Sequence, residues 1–553
     1  MAQHELVLND RELCDLELLL NGGFAPLTGY LKRADYESVL STMRLSTGEL
    51  WSMPITLSVE SDSKIQTGDK VTLKDQCNNP LAVLSVEDRW TPDLEAECVA
   101  VYGCADRNHE YINITLSQGS VDYLGGPLEL IQLPLHYDFK ELRRTPEQTR
   151  QLFQENGWKH VIGFQTRNPM HRSHMELTLN SVKEVREELT AQGVEGDVHV
   201  MIHPVVGVTQ SCDVNYHTRV RCYKKLLAHY PENVAMLSLL PLSMRMAGPR
   251  EALWHALIRK NYGCTHFVVG RDHAGPSFLR ADGEKFFGPY DAHNLLDSVA
   301  DEIGIKIIKS VFIVYEPTTA KYYRIDSLPE GTEPLNISGT EQRRRLRTGE
   351  EIPEWFSYPD VVAELRKRYK PLHKKGFCVY FTGLSGAGKS TVAQYFASRL
   401  REIEAERQIT VLDGDVVRQN LSKGLGFSRA DRSTNVRRIG YVASEIVKHG
   451  GIVLCANIAP YADDREHNRN VISAHGGYFE VHVATSLNTC EQRDIKGLYE
   501  KARAGIIKEF TGISDPYEAP ESPELSVTCD TMESIDETLY ALTSMLRDAG
   551  YLI

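Results

Sequence analysis

Positive charge is in deficit. Sixty-two lysines and arginines face seventy-five acids, giving a formal net charge of -13 and a pI near 5.9. A polyanion-binding surface needs a basic excess, so no nucleic-acid partner is expected. Small anions need only a local positive pocket and are not excluded. Long apolar runs are also missing. No stretch approaches the ~18 residues of a membrane span, and MAQHELVLNDRELCDLELLL lacks the basic segment and apolar run of a signal peptide. A cytoplasmic protein without membrane association is expected. The eleven cysteines are scattered, odd in number and never spaced CxxC. That excludes a disulfide framework or zinc knuckle and fits free thiols in a reducing compartment. Internal repeats and low-complexity tracts are absent too.

What remains is a chain of 553 residues with ordinary proportions, 42% hydrophobic and 25% charged. At ~150 residues per domain it holds three or four. Residues 1–138 carry short apolar runs between turn signals (WSMPITLSV, DKVTLKD, NNPLAVLSVED, YLGGPLELI), the pattern of a small mixed β domain. Over 139–325 the strand-like runs HVIGFQ, VHVMIHPVVG, AMLSLLPL, THFVVGRD and KIIKSVFIVY alternate with helical stretches, which implies a parallel sheet with crossover helices. Residues 326–375 form a smaller section. Its basic run Arg343–Arg345 and its end, ELRKRYKPLHKKG, read as a solvated helix face and a linker. A second α/β pattern fills 376–553, with FCVYFTG, QITVLDGD, GIVLCANI and YFEVHVAT as strands.

FTGLSGAGKST, Phe381 to Thr391, fits G-x-x-x-x-G-K-[ST] between an apolar strand and a helical run with Val392, Phe396 and Leu400 in phase. Gly383, Gly386 and Gly388 let backbone N–H groups curl toward phosphate oxygens. Lys389 bridges phosphates of a nucleoside triphosphate, and Ser390, followed by Thr391, offers a hydroxyl to Mg²⁺. LDGDVVRQN sets Asp413 and Asp415 at the C-terminal edge of the next strand, where doubly wound sheets bind ligands. A helix cap is the bland role for such an aspartate; the phosphate loop upstream favours a functional one.

With DGDVVRQNLSKGLGFSRADRSTNVRRIG, IAPYADDR, CEQRDIKGLYEKARAG and FTGISDPYEAPE, residues 377–553 resemble adenylylsulfate (APS) kinase. The resemblance implies a P-loop NTPase fold and transfer of phosphate from MgATP to the ribose 3′-hydroxyl of APS, giving PAPS. By position, Asp415 looks like the acceptor-activating carboxylate. Arg418, Arg432 and Asn435 resemble the groups that hold the phosphosulfate, and Phe427 and Phe510 the aromatic pair around the adenine. Lys496 falls in the lid. Where many members have a phosphorylated serine, this chain has Ala459; direct transfer does not require that serine.

QTRNPMHRSH, Gln165 to His174, poses a choice between a metal and an anion. Two histidines three apart suit either, but no Cys, Asp or Glu at ligand spacing joins them. Two imidazoles leave zinc under-coordinated, so no structural metal is expected. With HPVVGVTQSCD, MRMAGPREALWHALIRKNYGCTHFVVGRDHAGP and ISGTEQRRRLRTG, residues 5–370 resemble ATP sulfurylase. That resemblance implies a PUA-like β domain, a Rossmann-like nucleotidyltransferase α/β domain and a small third domain. It also implies a reaction: sulfate attacks the α-phosphate of ATP and pyrophosphate leaves. Arg167 suits paired hydrogen bonds to sulfate and Gln165 adds a neutral donor. Asn168 resembles a nucleotide-phosphate contact, and His171 and His174 the pair that stabilises charge between α- and β-phosphates. Gly270, Arg271, His273 and Ala274 look like a second wall. Arg245 is either a phosphate ligand or a structural ion pair with Glu251 or another acid. Gln210 replaces a lysine common among relatives and removes a positive charge near an anionic site.

Together the two resemblances imply an α/β multidomain enzyme carrying out ATP + sulfate → APS + pyrophosphate, then APS + ATP → PAPS + ADP, as a homo-oligomer using Mg²⁺. One rival is a sulfurylase whose C-terminal domain only senses PAPS; the intact Gly388-Lys389-Ser390-Thr391 speaks against it. The other is a kinase on an inactive sulfurylase-like scaffold, opposed by the intact QTRNPMHRSH and GRDHAG.

Overall fold

The computed structural model describes residues 4–494, 496–529 and 532–553. Its chain divides into two compact units, Met1–Gln342 with Ile352–Arg368, and Arg343–Glu351 with Tyr369–Ile553.

The first unit opens with a seven-stranded sheet, antiparallel except for the pairing of His4–Val7 with Lys70–Lys74. Helices accompany it. Asp10–Leu20 starts with a capping box in which Asn9 and Glu12 satisfy each other's backbone N–H. A five-stranded parallel sheet follows: β1 (His160–Phe164), β2 (Val198–Ile202), β3 (Ala235–Leu237), β4 (His266–Val269) and β5 (Lys306–Lys309), in the order β3-β2-β1-β4-β5. Its crossovers include α1 (Arg172–Ala191), α2 (Tyr216–Leu227) and α3 (Gly248–Asn261). One hydrophobic core runs from Leu8 through Trp51 and Trp254 to Ile305, so both sheets share an interior.

KIIKSVFIVY, expected as one buried strand, is two. Lys306–Lys309 is a partly exposed edge strand. Ile313–Glu316 turns away to pair antiparallel with Lys321–Arg324. Both lysines flanking Ile307 and Ile308 are exposed, as an edge requires. Farther on, α4 (Gly339–Thr348) carries the arginine run and α5 (Pro359–Arg368) follows.

In the second unit β6 (Phe377–Thr382) is buried throughout, as a central parallel strand covered on both faces must be. With β7 (Ile409–Asp413), β8 (Ile452–Ala456), β9 (Gly477–Val483) and β10 (Leu525–Val527) it forms a parallel sheet ordered β7-β8-β6-β9-β10. Helix α6 (Lys389–Ile403) buries Val392, Phe396 and Leu400 completely, the face expected from their spacing. The topology places the ends of β6, β7 and β8 at one edge of this sheet.

Candidate functional site

In the second unit the chain turns from β6 into α6 through a loop whose Gly383, Gly386 and Gly388 have φ of 151°, 75° and 105°. A Cβ at Gly383 would lie 2.5 Å from the Val483 carbonyl oxygen, so the position admits glycine alone. Lys389 is 8% exposed, and its Nζ donates to the Leu384 carbonyl at 2.7 Å. Desolvation lowers its pKa to about 8. Ser390 Oγ donates to Asp413 Oδ2 at 2.5 Å. Asp413 also caps the short helix Gly414–Gln419 by accepting the Asp415 N–H at 2.9 Å, the bland role weighed for it.

The remaining groups are held by partners near and far in the sequence. Asp415 pairs with Lys496. The Arg418 guanidinium lies 4.4 Å above the Phe427 ring and donates to the Gly426 carbonyl. Arg432 donates to Thr511 Oγ1 at 2.7 Å and pairs with Asp515 at 2.8 Å. Phe510 stands edge-on to Tyr499. All the kinase residues read from the sequence except Gly383 line one cleft of about 780 Å³. Arg432 Nε and Asn435 Oδ1 are buried there with no protein hydrogen-bond partner, a state that a polar ligand would relieve. Asn457, which sequence reasoning missed, also lines the cleft with its Oδ1 unsatisfied. It follows directly on β8, and the strand-end rule that singled out Asp413 applies to it equally. Ala459 sits beside it, buried and with φ of 42°.

In the first unit, Gln165 to His171 cross the C-terminal edge of β1 into α1. Helix α2 holds this segment by its backbone: Arg219 donates to the Arg167 carbonyl and Tyr223 to that of Asn168. The Arg167 Nη1 meets Asp213 Oδ1 at 2.7 Å and Gln210 Oε1 at 2.9 Å. Gln210 is 3% exposed and also accepts from the Ser277 hydroxyl at 2.8 Å. The neutral residue at 210 is therefore an acceptor that braces Arg167, not simply a missing cation.

His171 is the N-cap of α1, and its N–H donates to His174 Nδ1 at 3.1 Å. Its ring approaches Ser357 Oγ through Nδ1 (3.1 Å) and the Gln342 amide nitrogen through Nε2 (2.9 Å). Burial lowers His171 to about 3 and His174 to about 4, so both are neutral at working pH. Gln342 falls within ISGTEQRRRLRTG but has no site role in the sequence reading, and Ser357 carries no local sequence signal.

The second wall follows β4, where Asp272 and Ala274 take φ of 55° and 54°. His273 Nε2 is 3.1 Å from His255 Nδ1, and His255 Nε2 is 3.3 Å from Glu251 Oε1. Desolvation pushes both imidazoles well below the usual histidine range. A cavity of about 300 Å³ brings together Arg167, Asp272, His273, Gly275, Ser277 and Lys285. Gln165, Asn168, His171, His174, Gly270, Arg271 and Ala274 do not line it. Gln165 turns its amide nitrogen toward His255 at 3.4 Å, and exposed Arg271 pairs with neighbouring Asp272.

Arg245 requires a correction. It is 6% exposed, its Nη2 lies 2.5 Å from Asp15 Oδ2, and Trp254 packs beside it. A desolvated guanidinium already neutralised by a buried carboxylate is not offered to a phosphate. Of the two roles open to it, the structure gives the ion pair, with Asp15; Glu251 accepts only its backbone N–H.

Among the described residues no group of three His, Cys, Asp or Glu is arranged to hold a metal, and no helix is long and apolar enough to cross a membrane.

Comparison with known proteins matches a PUA-like domain over residues 2–133, ATP-sulfurylase over 140–368 and adenylylsulphate kinase over 375–528. A sulfate adenylyltransferase from Chaetomium globosum is 45% identical over 552 residues, 99% of this chain and 94% of the relative. The chain belongs to the sulfate adenylyltransferase family. Its counterpart from Aspergillus oryzae is 45% identical over 551 residues, again 99% and 94% of the two chains. A solved structure described as a hexameric APS kinase from Thiobacillus denitrificans superposes with a TM-score of 0.78 at 34% identity, covering 100% of this chain and 94% of that one. The α/β multidomain architecture is thus a PUA-like domain, an ATP-sulfurylase domain and a C-terminal P-loop APS kinase domain.

Proposed function

We propose that this chain activates sulfate in two steps, ATP + sulfate → APS + pyrophosphate and APS + ATP → PAPS + ADP, and that both domains are catalytic. The observation that carries the second half is the formed phosphate cradle. Left-handed glycines, buried Lys389 and the Ser390–Asp413 pair share one cleft with Asp415, Arg418, Arg432 and Asn435. A domain kept only as a PAPS sensor has no need of this nucleoside-triphosphate machinery.

In the first step a sulfate oxygen bonds to the α-phosphorus as the bond to the β-phosphate oxygen breaks. Two anions must meet, so repulsion has to be neutralised. Arg167 takes the sulfate with Gln165 as a neutral donor beside it, while Asn168, His174 and the His273 wall supply neutral donors around the phosphates. In the second, the APS 3′-hydroxyl attacks the γ-phosphate, its proton passes to Asp415, and ADP departs. Arg418, Arg432 and Asn435 hold the phosphosulfate, Phe427 and Phe510 the adenine, and Lys496, paired with Asp415, closes over the site. Lys389 and the loop N–H groups hold the β- and γ-phosphates. Ser390 and Asp413 present the hard oxygens that Mg²⁺ prefers, and they would hold it beside the nucleotide. Bound there, Mg²⁺ neutralises phosphate charge. Likeness along the whole chain to a protein described as hexameric supports a homo-oligomer.

The test is purified protein with MgATP, labelled sulfate and pyrophosphatase, following labelled APS and PAPS. PAPS should accumulate, and Lys389→Ala should stop at APS. APS alone from the unmodified chain would replace this proposal with the sensor. PAPS formed only from added APS would point to a scaffold carrying a kinase.

A further inference from the structure

The two motif histidines are set up differently by their neighbours. An amide nitrogen only donates, so the Gln342 Nε2 at 2.9 Å requires a lone pair on His171 Nε2. The ring proton of neutral His171 then sits on Nδ1, where Ser357 Oγ accepts it at 3.1 Å. His174 is the reverse: its Nδ1 accepts the His171 backbone N–H at 3.1 Å, which leaves its proton on Nε2. Both nitrogens of His171 are occupied and the ring is 5% exposed, packed 4.5 Å from Phe356. The Phe356 carbonyl also accepts the first N–H of α1, from Arg172, at 3.2 Å. Four contacts therefore tie the start of α1 to Gln342, Phe356 and Ser357.

We infer that Gln342 and Ser357 are positioning residues of the sulfurylase reaction: they lock His171 as the neutral Nδ1–H tautomer, and through its backbone they present His174 to the nucleotide as an Nε2–H donor. The inference rests on the sulfurylase half of the proposed function. It divides the labour of the pair, with His171 as keystone and His174 as donor. Around His171 the facing groups are Gln342, Phe356 and Ser357, all uncharged, and His174 from its own helix; Arg172 turns to the Tyr358 ring 4.1 Å away. Burial and then neighbouring His174 oppose a proton on His171, and together they outweigh the Gln342 hydrogen bond, which favours one.

Replacing the donor by an acceptor inverts this logic. In Gln342→Glu the carboxylate faces Nε2, draws a proton onto the ring and raises its pKa. Above that pKa the new negative charge opposes ATP; below it the imidazolium cancels the charge. Sulfurylase turnover of the full chain, measured as APS from ATP and sulfate with pyrophosphatase, should therefore gain a limb between about pH 5 and 8, recovering as pH falls. Gln342→Leu should lower turnover roughly five- to tenfold without any new limb. PAPS formation from added APS is the internal reference and should not change in either variant. Profiles that superimpose on the unmodified enzyme overturn the inference. So does a loss in both variants that merely follows a fall in melting temperature with the pH profile unchanged. If the unmodified chain makes no APS, the sulfurylase reading fails instead, a result separate from these.

Discussion

In the second unit the phosphate cradle is backbone, set by three left-handed glycines at the head of one helix. In the first unit the anion site is made of side chains at strand ends, each braced from another part of the fold: Arg167 by Asp213 and Gln210, His171 by Gln342 and Ser357, His273 by His255. A backbone site is local and needs only glycines in order. A side-chain site holds its geometry only while distant partners stay in place, so the two should fail in different ways.

The largest effect should come from breaking a support far from any ligand. Arg245→Met leaves Asp15 buried and uncompensated, which costs about 3–5 kcal/mol. The first unit should melt earlier while PAPS formation from APS persists. An unchanged melt with a raised ATP KM in APS synthesis would return Arg245 to the phosphates. In the second unit the sensitive spot is local. Gly383→Ala forces a Cβ toward the Val483 carbonyl and should cost about 1–3 kcal/mol in strain, seen as weakened ATP binding by the kinase with APS synthesis intact.

Protons separate the two sites as well. Lys389 has its pKa lowered to about 8 by burial, so its charge is present below that pH and lost above it. Kinase kcat/KM for ATP should fall about tenfold from about pH 7 to about pH 9. In the sulfurylase site the motif histidines are already neutral. Its profile should stay flat over that range; parallel alkaline losses would remove the distinction.

The same contrast explains what could be read from the sequence. The kinase cleft was legible nearly whole, because Gly383 to Thr391 encodes its geometry in nine consecutive residues and Asp413 and Asp415 follow one strand later. The parallel sheets were legible from alternating apolar runs. KIIKSVFIVY misled because an apolar run does not say where a strand leaves its sheet. In the sulfurylase domain the motif named Arg167, His171 and His174, but not what holds them. Asp213, Gln342 and Ser357 lie 46, 171 and 186 positions from their partners, and only folding brings them in. Arg245 could not be assigned for the same reason, since Asp15 is 230 residues away.

The smallest effect separates two meanings of bracing. Asp213 is a carboxylate on the very guanidinium that should receive sulfate, so it either competes with the substrate or aims the side chain at it. Its bond to Nη1 is shared with Gln210 Oε1, which suggests that Gln210 alone keeps the orientation once Asp213 is neutral. Asp213→Asn preserves shape and removes the charge. Competition then predicts about a threefold lower KM for sulfate, worth less than one hydrogen bond to a charged group, with the gain shrinking in high salt. A higher KM would mean that Asp213 aims Arg167, and the side-chain site would depend even more on its distant supports.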